Sequence, residues 1–175
     1  MNFNQDGMGY LGEVIVMYEL AKRDVKCEKL QKMFDYDFLI ENNCKVEVKT
    51  STILTVKDGR RSSGPSRDLW QFTNPRKQWS KKSPGGRDRK CDYYVFVCLD
   101  NNKNPIKFYI IPNKLIGKIS GISIPVNRKT GKDPYEKYIG RWDLIKDYPK
   151  SQHIDLGFGQ ICFKLETLGD ELCLV

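Results

Sequence analysis

The chain has 175 residues, a length that fits one domain and needs no disulfide or metal staple to hold a core together. Hydrophobic residues make up 39% and aromatics 11%, which excludes a globally disordered chain. The net charge of +8 is concentrated: residues 57–90 hold eleven basic and three acidic side chains, and the remainder holds nineteen of each. A uniformly basic surface is excluded. What remains is a single domain over 1–175 with a neutral body and one basic, loop-rich insert, the footprint of a polyanion partner.

Residues 7–22 predict a helix. Apolar residues fall at 11, 14, 15, 18 and 21 on one face, and 16, 17 and 20 fill most of the other. A helix apolar nearly all round is expected to be buried. Glu13 would then be substantially buried and would need a partner or a cation. Residues 34–40 and 45–50 predict two strands joined by a turn at Asn42-Asn43, because asparagine tolerates the positive φ of hairpin turns. Residues 53–56 continue that strand or start another. Residues 57–68 read as a polar loop, Trp70-Gln71-Phe72 as a short strand, and 74–90 as a second basic loop broken at Pro84-Gly85-Gly86. Asp92–Leu99 and Ile106–Ile111 predict a hairpin across Asp100–Pro105. Pro112-Asn113 opens a short helix over 113–119, a further helix is expected near 141–147, and an apolar segment follows at 161–165. The element order points to an α/β (α+β) fold with a mixed sheet.

No apolar run is long enough to span a bilayer, and the first residues carry no signal-peptide pattern. A soluble, cytoplasmic protein with no membrane partner is expected. Six cysteines include no Cys-x-x-Cys pair, and His153 is the sole histidine, so a structural zinc site has no support. Cys91, Cys98 and Cys162 sit in apolar runs and read as small buried hydrophobes.

Glu47 and Lys49 share one face of their strand, opposite Val46 and Val48. A Glu-x-Lys spacing alone is weak, since roughly one is expected by chance in a chain of this composition. Its context strengthens it. Asp37 ends the neighbouring strand, and Glu13 lies on the first helix. One geometric condition follows. A plain two-residue turn at Asn42-Asn43 would put Asp37 opposite Val48, on the wrong face for Glu47. Convergence requires an odd-length loop, a bulge, or an Asp37 lying past the paired region.

The pattern Gly9-Tyr-Leu-Gly12-Glu13, then Asp37, nine residues, and Glu47-Val48-Lys49, resembles the PD-(D/E)xK nuclease superfamily. Asp92-Tyr93-Tyr94-Val95 and Tyr109-Ile110-Ile111-Pro112 look like the strands that follow the motif in many members. The resemblance covers roughly residues 7–119. It departs at Tyr36, where the family pattern has proline. It implies a restriction-endonuclease-like core, a central mixed sheet flanked by helices. It also implies a Mg²⁺-dependent endonuclease, with Mn²⁺ as a substitute, that hydrolyses DNA phosphodiester bonds. Restriction-type and junction-resolving enzymes are the leading options, each acting as a homodimer, and RNA stays open as a substrate. Asp37 and Glu47 would be the principal metal ligands, with the Val48 carbonyl a third. Glu13 would bind directly or through water. Lys49 would orient the attacking water or stabilise the phosphoryl charge. Hard carboxylate and carbonyl oxygens suit Mg²⁺.

The basic insert supplies the expected nucleic-acid contacts: Arg60, Arg61, Arg67, Arg76, Lys77, Lys81, Lys82, Arg87 and Arg89. The interleaved Trp70, Phe72 and Trp79 either stack on unpaired bases or pack in the core. The alternative function is a non-catalytic nucleic-acid-binding module on the same fold.

Overall fold

The computed structural model describes residues 5–30, 36–57, 66–73, 91–116, 121–127 and 133–149. In chain order these form α1 (Gln5–Ala21), β1 (Cys27–Lys29), β2 (Phe38–Ile40), β3 (Lys45–Lys57), β4 (Ser66–Thr73), β5 (Tyr93–Leu99), β6 (Pro105–Pro112), α2 (Asn113–Ile116), β7 (Gly121–Pro125), a 3-10 turn (Glu136–Tyr138) and α3 (Asp143–Lys146). The α+β class and mixed sheet expected from the sequence are present. β3 runs parallel to β5, and every other strand pair is antiparallel.

β3 organises the sheet. Its start pairs with β2, residues 46–52 pair with β5, and residues 53–57 pair with β4. Its alternation therefore splits two cores. Val46 and Val48 join Val95, Val97 and Ile110 under α1 and α3. On the other face Tyr94, Phe96, Tyr109 and Ile111 pack with Trp70 and Phe72 of β4 and with Ile122 and Ile124 of β7. Each of these aliphatic and aromatic side chains contributes about 1.5–3 kcal/mol by leaving water. Trp70 also donates its indole N–H to the Leu99 carbonyl at 2.8 Å.

Several expectations change. α1 is not buried all round. Val16 and Leu20 face the sheet, whereas Tyr10, Val14, Met17 and Tyr18 are exposed, Tyr10 at 61% and Tyr18 at 63%. A helix laid on one face of an open sheet buries a single stripe, whatever apolar residues its outer side carries. Ser66–Asp68, expected in a loop, are strand: they pair with residues 55–57 and gain backbone partners there. Trp70 and Phe72 are core residues, not base-stacking platforms. β1 and β7 were not anticipated. β3 runs unbroken through residues 53–56. The described cysteines, 27, 44, 91 and 98, are free thiols, and Cys91 and Cys98 are buried as expected. Among the described residues no helix is long and apolar enough to cross a membrane.

Candidate active site

The β2–β3 loop decides whether Asp37 can meet Glu47. Ile40 N–H donates to the Cys44 carbonyl at 2.9 Å, leaving a three-residue loop, Glu41–Asn43. Asn43 takes φ 67, the left-handed conformation that asparagine tolerates. Asn42 is buried. Its amide donates to the Ile145 and Lys146 carbonyls at 2.8 and 3.1 Å, and its oxygen accepts from Cys44 N–H at 3.1 Å. The loop is thereby tied to the end of α3. The odd length sets Phe38 opposite Val46 and Leu39 opposite Lys45. That register brings Asp37 level with Glu47, and β2 begins only at Phe38, so Asp37 also lies just outside the paired strand. Both conditions avoid the two-residue hairpin that would have separated the acids.

Asp37 is held from two sides. Its N–H donates to the Val46 carbonyl at 2.9 Å, and its carbonyl accepts from Leu30 N–H at 2.9 Å. Its side-chain Oδ2 accepts from Val48 N–H at 2.7 Å. β2 is too short to reach Val48, and residues 47–52 have β5 as their sole strand partner among the described residues. Asp37's carboxylate thus takes a ladder position that no strand fills. The Val48 carbonyl faces the same edge, because the N–H and C=O of one strand residue point the same way.

Glu47 is 1% exposed and lies at the register position beside Tyr94. Lys49 donates its ammonium to Glu47 Oε1. Burial pulls the Lys49 pKa below its ordinary value, and Asp37, Cys91 and Glu13 pull against that shift without overcoming it. Asp37 and Glu13 therefore both act electrostatically on this lysine. Glu13 reaches it because Gly12 lies tight against Thr50, the residue after Lys49. A Cβ on Gly12 would stand 1.7 Å from Thr50 Oγ1 and 2.9 Å from Thr50 Cβ. Gly9, the other glycine of the motif, has nothing within 4 Å of such a Cβ and makes no close approach.

Glu13 also has a partner the sequence did not reveal. Lys29 of β1 places Nζ 2.8 Å from Glu13 Oε2. Among the described residues no three His, Cys, Asp or Glu side chains are grouped so as to hold a metal ion. The oxygens that fit a hard cation are the Asp37 and Glu47 carboxylates with the Val48 carbonyl. Mg²⁺ is typically held by one or two carboxylates, waters and substrate phosphates, not by an all-protein cage, so this donor set suits it.

Of the expected nucleic-acid contacts, Arg67 is exposed on β4 opposite Val56. Arg60, Arg61, Arg76, Lys77, Lys81, Lys82, Arg87 and Arg89 lie outside the described residues, as do Trp79, Cys162, His153 and the 161–165 segment.

No family model matches the sequence, and no curated protein matches it. Among solved structures the fold is similar to that of a bacterial homing endonuclease, I-Ssp6803I. The TM-score is 0.57 at 18% identity, over 83% of this chain and 94% of that one.

Proposed function

We propose that this chain is a Mg²⁺-dependent DNA endonuclease of the PD-(D/E)xK type, with Asp37, Glu47 and Lys49 as its working residues. The observation that carries the reading is the hairpin register that sets Asp37 opposite Glu47, with the Asp37 carboxylate on Val48 N–H at the edge of β3 that β2 does not cover, and Lys49 on Glu47. The likeness in fold to a homing endonuclease supports the same reading.

Within this reading Asp37 and Glu47 hold the cation through their carboxylates, and the Val48 carbonyl joins them. The bound ion would supply Lewis acidity at the phosphoryl oxygens and lower the pKa of a coordinated water. Lys49 holds the attacking water in place and offsets charge on the phosphate. Its ammonium donates to Glu47 Oε1, which keeps that charge at the site. Glu13 is the outer acid, placed by Gly12.

The β3–β4 pair continues past the end of β7, since β7 reaches only Leu69. Past the Val126 N–H, which still donates to the Asp68 carbonyl, residues 56–57 and 66–67 form a two-stranded ribbon, a shape the DNA major groove admits. Arg67 and Lys57 project from it, and the neighbouring basic segments carry most of the positive charge. One such site cuts one strand, so a duplex cut calls for a homodimer. Restriction-type and junction-resolving activity both fit.

The test is to incubate wild type and Glu47→Ala with supercoiled plasmid and a synthetic four-way junction, with Mg²⁺ or Mn²⁺. Defined plasmid fragments from wild type alone support a sequence-specific enzyme, and cuts confined to the junction support a resolving enzyme. Binding without any metal-dependent cleavage replaces the enzyme with a non-catalytic nucleic-acid-binding module.

A further inference from the structure

The two lysines of the site stand on their acids in different ways. Lys49 pairs with Glu47, whose side chain is 2% exposed. Lys29 pairs with Glu13 where both side chains still meet water, at 34% and 23% exposure. Lys29 also has a second resting place, because its ammonium lies 4.2 Å from the centre of the Tyr10 ring. Tyr10 and Glu13 are one helical turn apart on α1, so Lys29 lies across both. Leu30, next to Lys29, donates its N–H to the Asp37 carbonyl. Two successive residues thus touch the two acids, Lys29 of β1 the outer one through its side chain and Leu30, just past β1, the inner one through its backbone.

Magnitudes decide which pair yields to an incoming cation. Breaking a buried ion pair on one side costs about 3–5 kcal/mol. A partly exposed pair is worth about 0–1 kcal/mol. A lysine that can fall back on water and an aromatic face loses little more than that.

Resting on the metal-dependent reading above, we propose that Lys29 is an exchangeable counter-ion for Glu13. It occupies this carboxylate when no metal is bound, and it competes with a divalent cation for it. Lys49 stays on Glu47 while Lys29 is the charge that gives way. Lys29 is thus a positioning residue that sets the metal affinity of the site from its outer side. The Lys29 side chain is partly exposed, so a substrate phosphate could draw the freed ammonium further from Glu13.

The experiment is calorimetric titration of the full chain with Mg²⁺, and separately with Mn²⁺, in the absence of DNA. The proteins are wild type, Lys29→Gln, Lys29→Arg, Glu13→Gln and the Glu13→Gln/Lys29→Gln double variant, each first shown to be folded by its thermal unfolding. Lys29→Gln is expected to bind the cation about threefold tighter or more. Lys29→Arg keeps the charge and stays near wild type. Glu13→Gln binds more weakly, and in its background Lys29→Gln changes nothing further. Equal or weaker binding by Lys29→Gln overturns the proposal, as does an equal gain in the Glu13→Gln background, because Lys29 would then act as general charge. If wild type and every variant bind neither cation, the metal-dependent reading itself falls and this inference falls with it.

Discussion

Gly12 and Thr50 meet backbone to side chain, and that contact sets how closely Glu13 approaches Lys49. Alanine at position 12 would gain up to about 1 kcal/mol of helix propensity. Against this stands a Cβ 1.7 Å from Thr50 Oγ1 and 2.9 Å from Thr50 Cβ, and the latter is fixed to the strand. Overpacking of this kind costs about 1–3 kcal/mol, so the clash wins. Gly12→Ala is expected to lower the denaturant midpoint and cleavage together, and adding Thr50→Ala should restore part of both. A stable, fully active Gly12→Ala would mean that the position of α1 does not matter to the site. The inner residues predict a different signature. Asp37→Asn, Glu47→Gln and Lys49→Ala should each lower the cleavage rate about a hundredfold or more while leaving duplex binding nearly intact. Single-turnover cleavage beside a binding isotherm checks this, and full activity in any one removes that residue from the mechanism. These inner residues were readable in the sequence because strand alternation puts Glu47 and Lys49 on one face. Lys29 was not, because a three-residue strand shows no periodicity and its partner lies on another element.

Elements were readable where their pattern was long. The β5–β6 hairpin and the extent of α1 follow from the sequence to within a few residues. The buried side of α1 does not, because its outer face carries Tyr10, Val14, Met17 and Tyr18. Composition marks a helix as apolar, and only its docking partner decides which stripe is covered. The sequence does not settle the register of the β2–β3 hairpin for a similar reason: its three-residue loop is held by Asn42 reaching the end of α3. The other end of α1 is anchored by a cluster that can be tested. Arg23 donates to the Glu19 carboxylate and to the Glu19 carbonyl, each at 2.6 Å, and its guanidinium lies 4.8 Å from the Trp142 ring. Burial raises the Glu19 pKa, but the hydrogen bonds from Arg23 and Lys22 outweigh it and the net shift is downward. A carboxylate lowered in the folded state adds stability above the ordinary carboxylate range, and that contribution is lost as pH falls through its folded value. Arg23→Ala is therefore expected to cost about 1 kcal/mol at neutral pH. The difference from wild type should shrink as the solution is acidified through the carboxylate range. Thermal unfolding of both proteins across pH checks it, and a gap that widens in acid would refute this account of Glu19.

Over the whole molecule the +8 charge is unevenly placed, and the unevenness sets how DNA would be held. The body carries Asp37, Glu47 and Glu13, which repel a phosphate backbone on their own. The basic stretch begins at Lys57, eight residues after Lys49 on the same extended strand and so roughly 26 Å along it, at the far end of β3 from the acids. Strand pairing of residues 66–68 turns part of that stretch from the expected loop into the ribbon that bears Arg67. Each phosphate neutralised by a lysine or arginine releases counterions and steepens the salt dependence by about 0.9 in log–log slope. Replacing Arg60, Arg61, Lys81 and Lys82 together by alanine should therefore weaken duplex binding and reduce that slope by up to about 3.6. Mg²⁺ binding, measured by calorimetry without DNA, should stay as in wild type, because the acids and their two lysines are untouched. Replacing Lys57 and Arg67 in the same way separates the ribbon from the flanking segments. If the fourfold variant keeps its slope and the ribbon variant loses it, the phosphates lie along β3 and β4. If neither slope changes, the concentrated charge does not form the DNA-binding surface, and the proposed task of the basic insert is wrong even where the cutting site is right.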